Sequence, residues 1–134
     1  MKKLAVGLCV FLLIGCSAVE LVKEKTRMDR FADRTRSYGQ AIRWGQWYVA
    51  KAFVKDPEVA DLTDVGVLKK FQVISYDLLD ADVSDDKTEA MQAIGIKYYH
   101  AERLKEKSLV DRQEWKYDEE DKTWYLKTGL PDFK

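Results

Sequence analysis

Hydrophobic and polar positions follow three successive patterns along the chain. The first is an apolar run over residues 4–14, broken only by Gly7 and preceded by Lys2 and Lys3. The second has helical spacing. Met28, Phe31, Tyr38 and Ile42 recur at near-heptad intervals, with Ala32 and Ala41 beside them, which predicts an amphipathic helix. Thr26 can cap its start, with Asp29 three residues on. Gly45 interrupts the pattern, and residues 46–54 supply a shorter helical run with Trp47, Tyr48, Ala50, Phe53 and Val54. Glycine is a poor helix-interior residue, so the two runs are expected to meet at a bend near Trp44 and Gly45. Pro57 stops the second run, and residues 62–67 suit a further short turn or helix.

From residue 69 the period changes to two. Ile74, Tyr76 and Leu78 share one face of the first run, and Phe71 and Val73 the other. After a polar turn over residues 80–86, alternation resumes over 89–103 with Ile94, Ile96 and Tyr98 in phase. It resumes again over 109–117, where Gln113, Trp115 and Tyr117 oppose Arg112, Glu114 and Lys116. Residues 118–122 turn the chain, and 123–128 bring back Trp124 and Leu126. Long strands with hairpin-sized connections predict an antiparallel meander. Helices first and strands afterwards predict an α+β domain, with N-terminal helices packed on an antiparallel sheet of about four strands.

The opening apolar run is too short to span a bilayer, which needs about 20 apolar residues, and suits an export signal. It ends in Leu13-Ile14-Gly15-Cys16, which resembles the bacterial lipobox. The resemblance implies cleavage before Cys16 and acyl chains on its sulfur. Serine rather than aspartate at position 17 implies, by the same resemblance, the periplasmic face of the outer membrane rather than the inner one. The expected layout is a signal peptide over 1–15, a tether over 16–25 and one domain over 26–134. Ser17 and Glu20 have capping-box spacing, so the tether can be a helical turn or a flexible linker. Two or more acyl chains hold a protein stably on a membrane.

Composition narrows the chemistry. Cys9 leaves with the signal and Cys16 is consumed by lipid, so the domain is expected to have neither a disulfide nor a thiol nucleophile. The chain has 23 basic and 23 acidic side chains. Losing Lys2 and Lys3 tips that balance slightly acidic, which gives no electrostatic case for nucleic acid. One histidine and no remaining cysteine exclude a structural zinc. Asp80, Asp82 and Ser84 match the first, third and fifth places of a calcium loop, but Asp85 stands where glycine is needed and Met91 where glutamate is needed. No phosphate-loop, nucleophile-elbow or dinucleotide glycine pattern occurs, and no cofactor is expected.

Tyr38-Gly39-Gln40-Ala41-Ile42-Arg43-Trp44-Gly45 is similar to the first helix of small envelope lipoproteins in the nuclear transport factor 2-like, or cystatin-like, superfamily. Gln113-Glu114-Trp115-Lys116-Tyr117, an acidic turn and Thr123-Trp124-Tyr125-Leu126 are similar to their last hairpin. The resemblance implies a cone-like sheet curved over the helical arm, and it allows homodimers that pair sheet to sheet. That superfamily hosts isomerases, dehydratases, transport adaptors and secretion components, so it licenses no activity by itself.

Two sets of residues are candidates. Four tryptophans in a small domain can serve packing or a recognition patch. Trp115, Tyr117, Trp124 and Tyr125, on adjacent strands, are the candidate contact with a protein partner. Tyr48, Tyr76, Tyr98 and His100 are the candidate lining of a small-molecule pocket. His100 has no acid obviously beside it, and a strand-end histidine with a local hydrogen bond accounts for it more simply. A ketosteroid-isomerase-like site would need a carboxylate inside an apolar cavity. Asp111 shares the Trp115 face, but no carboxylate sits convincingly on the inner phase. The expectation is therefore a lipid-anchored, non-enzymatic envelope domain that binds a protein or supports assembly of a complex. The alternative is a small-molecule-binding cone, or less readily a lyase or isomerase.

Overall fold

The computed structural model describes residues 9–134, with side chains from Ser17 onward. The reading of residues 1–8 as the start of an export signal, and the acylation of the Cys16 side chain, fall outside what is described. Eight elements follow in order: α1 (Cys9–Arg43), α2 (Trp47–Lys51), α3 (Pro57–Ala60), α4 (Val65–Leu68), β1 (Phe71–Val83), β2 (Glu89–His100), β3 (Glu106–Asp118) and β4 (Thr123–Leu126). The strands form one antiparallel sheet in the order β1-β2-β3-β4. The architecture is α+β, with a long N-terminal helix laid against a four-stranded meander.

The helix does not start at Thr26. That hydroxyl donates back to the Val22 carbonyl (2.9 Å) inside a continuous helix, so the tether expected over 16–25 is helical. The stop is where glycine predicts it. Gly45 has φ +66°, Gln46 N–H bonds to Ala41 O (2.8 Å) and Gly45 N–H to Ile42 O (3.2 Å). This pair of bonds closes a helix around a left-handed residue. Pro57 does more than end a run: it opens α3, with Asp56 accepting from the Glu58 N–H. Asp64 caps α4 in the same way through the Gly66 N–H.

Helix α1 crosses the sheet diagonally. Near its middle, Arg27 bonds to Asp86 O and Glu119, and Arg30 to Tyr117 Oη and Lys122 O, at the sheet end carrying the β1–β2 and β3–β4 turns. Arg34 Nε then donates to Trp124 O, and Arg43 reaches Val73 O on the opposite edge strand (2.7 Å). Between these anchors Phe31 and Tyr38 pack into an aromatic cluster with Phe53, Trp115 and Trp124. Burial of such large side chains dominates the stability of a small core. A second cluster, Trp47, Phe71, Tyr98 and Phe133, closes the other end. After α2, Val54 bridges to Leu126 in parallel.

Two irregularities in β1 change its faces. The register slips between Val73 and Ser75 and again between Leu78 and Asp80. A bulge adds one residue to one strand and reverses the alternation beyond it. Val73 and Tyr76 therefore lie on the same inner face, opposite Tyr98 and Ile96, and Ile74 is displaced to the surface. This corrects the expected grouping of Ile74 with Tyr76 and of Val73 against them. Leu79, at the second bulge, turns outward over Gly95.

Candidate functional site

The inner face of the sheet carries a polar group of side chains under α1, built from both halves of the sequence. Trp115 Nε1–H donates to Gln113 Oε1 (3.1 Å). Because an indole nitrogen is only a donor, this bond orients the amide. Gln113 Nε2 then points its two hydrogens at Tyr76 Oη (2.9 Å) and Asp111 Oδ2 (2.8 Å). Gln113 is the one buried polar residue among the described side chains. From the helix side, Tyr38 is fully buried and its hydroxyl has no hydrogen-bond partner among the described residues.

Strand geometry explains the convergence. Asp111, Gln113 and Trp115 alternate on β3 and so share a face. They pair with Ile94, Gln92 and Ala90 on β2. Tyr76 arrives on that same face only because of the bulge at Ile74. Gly39 admits its ring: a β-carbon there would stand 2.8 Å from Tyr76 Cε1.

Burial governs the electrostatics. The Asp111 carboxyl is pushed above the usual aspartate range by desolvation, partly offset by the Gln113 hydrogen bond. The Tyr38 and Tyr76 hydroxyls are raised first by burial; the Asp111 charge raises both, and the Gln113 bond lowers Tyr76. Such groups favour their neutral forms. The arrangement can hold a proton at Asp111 and present a tyrosine hydroxyl beside it.

The candidate pocket residues do not converge there. Tyr76 belongs to this group. Tyr48 is 69% exposed on α2, under Lys69. Tyr98 is buried in the far aromatic cluster, and its hydroxyl exchanges hydrogen bonds with the Lys134 backbone. His100 Nδ1 accepts from the Glu102 N–H (3.2 Å), and its ring stands edge-on to Phe71, the local arrangement expected of a strand-end histidine. A pocket lined by all four is not formed: Tyr48 stands out from α2, Tyr98 and His100 both pack around Phe71 at the far end of β2, and Tyr76 is turned in against Gly39. Gln113 and Tyr38 are the functional candidates missed. The signal for Gln113 lay in its phase with Trp115, and for Tyr38 in its place between Phe31 and Ile42.

The proposed contact residues are also redistributed. Trp115, Tyr117 and Trp124 are buried at 1%, 7% and 0% exposure. Their strand faces turn toward α1 rather than outward, so they form no surface patch. Tyr125 points the other way. It lines a hollow of about 290 Å³ with Lys55, Lys116, Asp118 and Lys127. Its hydroxyl bonds to Asp121 (2.8 Å), and Lys55, itself paired with Asp118, stands over its ring. On the outer face of the other strands, Leu79, Met91 and Val110 are exposed, around the small residues Ala93 and Gly95.

Asp80, Asp82 and Ser84 do not form an ion loop. The two aspartates sit on β1, and Ser84 Oγ donates to Asp86 Oδ1 (2.7 Å) within the β1–β2 turn. Among the described residues, no cluster of potential metal ligands occurs, and no helix is long and apolar enough to cross a membrane.

No family model, no curated protein and no solved structure matches this chain.

Proposed function

We propose that this chain is a lipid-anchored, non-enzymatic domain of the cell envelope, held by acyl chains on Cys16 at the periplasmic face of the outer membrane, where it binds a protein partner or supports assembly of an envelope complex. The observation that carries this reading is the helical arm. From Ser17 to Thr26 every residue except the half-buried Glu24 is exposed, and the same helix then becomes the spine of the core. At 1.5 Å per residue that arm is about 15 Å long. It couples the acylation position directly to the packed body and keeps that body close to the lipid. Confinement raises local concentration, so a modest contact suffices for function.

Burial of the other three aromatic candidates leaves Tyr125 and the outer sheet face as the contact surface. Tyr125 offers a half-buried aromatic ring beside the Lys55–Asp118 pair, and tyrosine is enriched among the residues that dominate binding energy. The test has two parts. Metabolic palmitate labelling should mark the wild-type protein and not Cys16→Ser. A photocrosslinking residue at position 125 should trap a defined envelope protein in intact cells, while one at exposed Asp29, on the back of α1, should not. An unlabelled wild-type protein, or a cytosolic one, sinks the proposal.

A second reading rests on Tyr38 and Asp111. A buried hydroxyl without a partner among the described residues, near the half-buried Asp111 carboxyl, suits a small neutral ligand that donates and accepts hydrogen bonds. A naphthol probe would report it. Perturbed naphthol emission that is lost in both Tyr38→Phe and Asp111→Asn favours this reading; unperturbed emission removes it.

A further inference from the structure

The arm is two-sided. At 3.6 residues per turn, Phe31, Tyr38 and Ile42 define the side of α1 that faces the sheet, and all three are buried. Projected back along the helix, that side is occupied by Glu20, Lys23, Glu24 and Arg27. The opposite side carries Ala18 and Val22, flanked by Val19 and Leu21. Val19, Leu21 and Val22 are 55%, 66% and 65% exposed. Val19 and Val22 thus face away from the domain and Leu21 stands at the flank, on a segment that makes no core contact of its own.

We propose that this back face of the arm lies in the bilayer interface, with Val19, Leu21 and Val22 among the lipid headgroups and upper acyl chains. The inference rests on the lipid anchor at Cys16. Three observations select a lipid surface as the occupant. The apolar face begins within one turn of the acylated position, so it is continuous with the site where chains enter the bilayer. Glu20, Lys23 and Glu24 lie on the other side, where they stay in water, as an interfacial helix requires. Lys25, beside the apolar face, has a long stem that can run along it and carry its ammonium to the headgroups.

This geometry also sets orientation. The sheet packs on the side of α1 opposite the inserted face. A reclining arm therefore lifts the domain off the membrane and turns the outer sheet face, with Leu79, Met91 and Val110, away from the lipid. An upright arm would leave that face without a fixed direction.

The experiment uses the acylated protein on vesicles of phosphatidylethanolamine and phosphatidylglycerol. Val22→Cys and Glu20→Cys each carry an environment-sensitive fluorophore. The proposal expects blue-shifted emission and quenching by lipid nitroxides at position 22, and water-like emission at the exposed position 20. Val22→Glu should remain vesicle-bound through its acyl chains, and trypsin should cut it faster after Lys23 and Lys25. Vesicle-bound protein with water-like emission at both positions overturns the proposal while leaving the anchor intact. A blue shift at position 22 that persists without lipid assigns the face to a protein and also overturns it. Protein that fails to float with vesicles overturns the anchor itself, and the inference with it.

Discussion

Gly39 of α1 and Tyr76 of β1 share one space: a β-carbon on Gly39 would lie 2.8 Å from Tyr76 Cε1 and 3.3 Å from Cδ1. The ring cannot swing aside freely, because its hydroxyl accepts a hydrogen bond from Gln113. The close approach of helix and edge strand therefore depends on a missing side chain.

Replacing Gly39 with alanine should destabilise the fold by up to about 2 kcal/mol net, because an overpacking cost of about 1–3 kcal/mol is only partly offset by alanine's better helix propensity of about 1 kcal/mol. Urea unfolding measures this. The double variant Gly39→Ala with Tyr76→Leu should lose less than the sum of its single changes. Strict additivity would mean that the two residues do not compete for space.

Gly45 is held by backbone conformation rather than by crowding. Its φ of +66° closes the end of α1, and the nearest atom to an added β-carbon is 3.6 Å away. Gly45→Ala should cost about 1–2 kcal/mol from left-handed strain alone, and Gly45→Asn less, since asparagine tolerates that region. Equal midpoints for all three proteins in thermal unfolding would contradict this account.

Gln113 satisfies three partners at once. Gln113→Ala leaves the Trp115 indole N–H buried without an acceptor, and each such group costs about 1–3 kcal/mol. A loss of about 3 kcal/mol is expected, with a shift in tryptophan emission as water reaches the indole. Gln113→Glu keeps the acceptor but sets a carboxylate against Asp111, and it should be worse at neutral pH than at acid pH.

Asp111 makes the fold pH-sensitive in a definite direction. Burial holds its folded value above the unfolded one. Its stabilising contribution is therefore complete below the unfolded value of about 3.9 and is lost as pH rises through the raised folded value. Asp111→Asn removes that dependence while keeping an acceptor for Gln113. The variant should gain on the wild type in urea midpoint between about pH 3 and pH 7. A constant difference across that range would show that the carboxyl ionises freely in the fold.

His100→Ala should change stability by less than about 1 kcal/mol and leave partner capture unchanged. The imidazole makes one local bond and one ring contact, away from Asp111 and Tyr125. A large loss of crosslinking would require a contact surface at the β2–β3 end of the sheet.

The sequence by itself determined the kind and order of the elements. Period 3.6 followed by period 2 separates helix from strand, because each backbone repeat places side chains on a face at its own interval. Gly45 announced the end of α1, because only glycine takes a positive φ cheaply. The alternation of Trp115 with Tyr117, and of Trp124 with Leu126, marked one strand face as apolar. Alternation alone is silent on whether such a face meets a helix or a partner. Tertiary structure decided that, by laying α1 across the face and burying three of the four aromatic contact candidates. It also decided the polar group around Asp111. Bulges at Ile74 and Leu79 reverse the phase of β1, and a bulge arises from pairing with β2 rather than from any local pattern. Tyr76 thereby reaches Gln113 across an intervening strand, a juxtaposition of residues far apart in the chain that exists only once the sheet has formed.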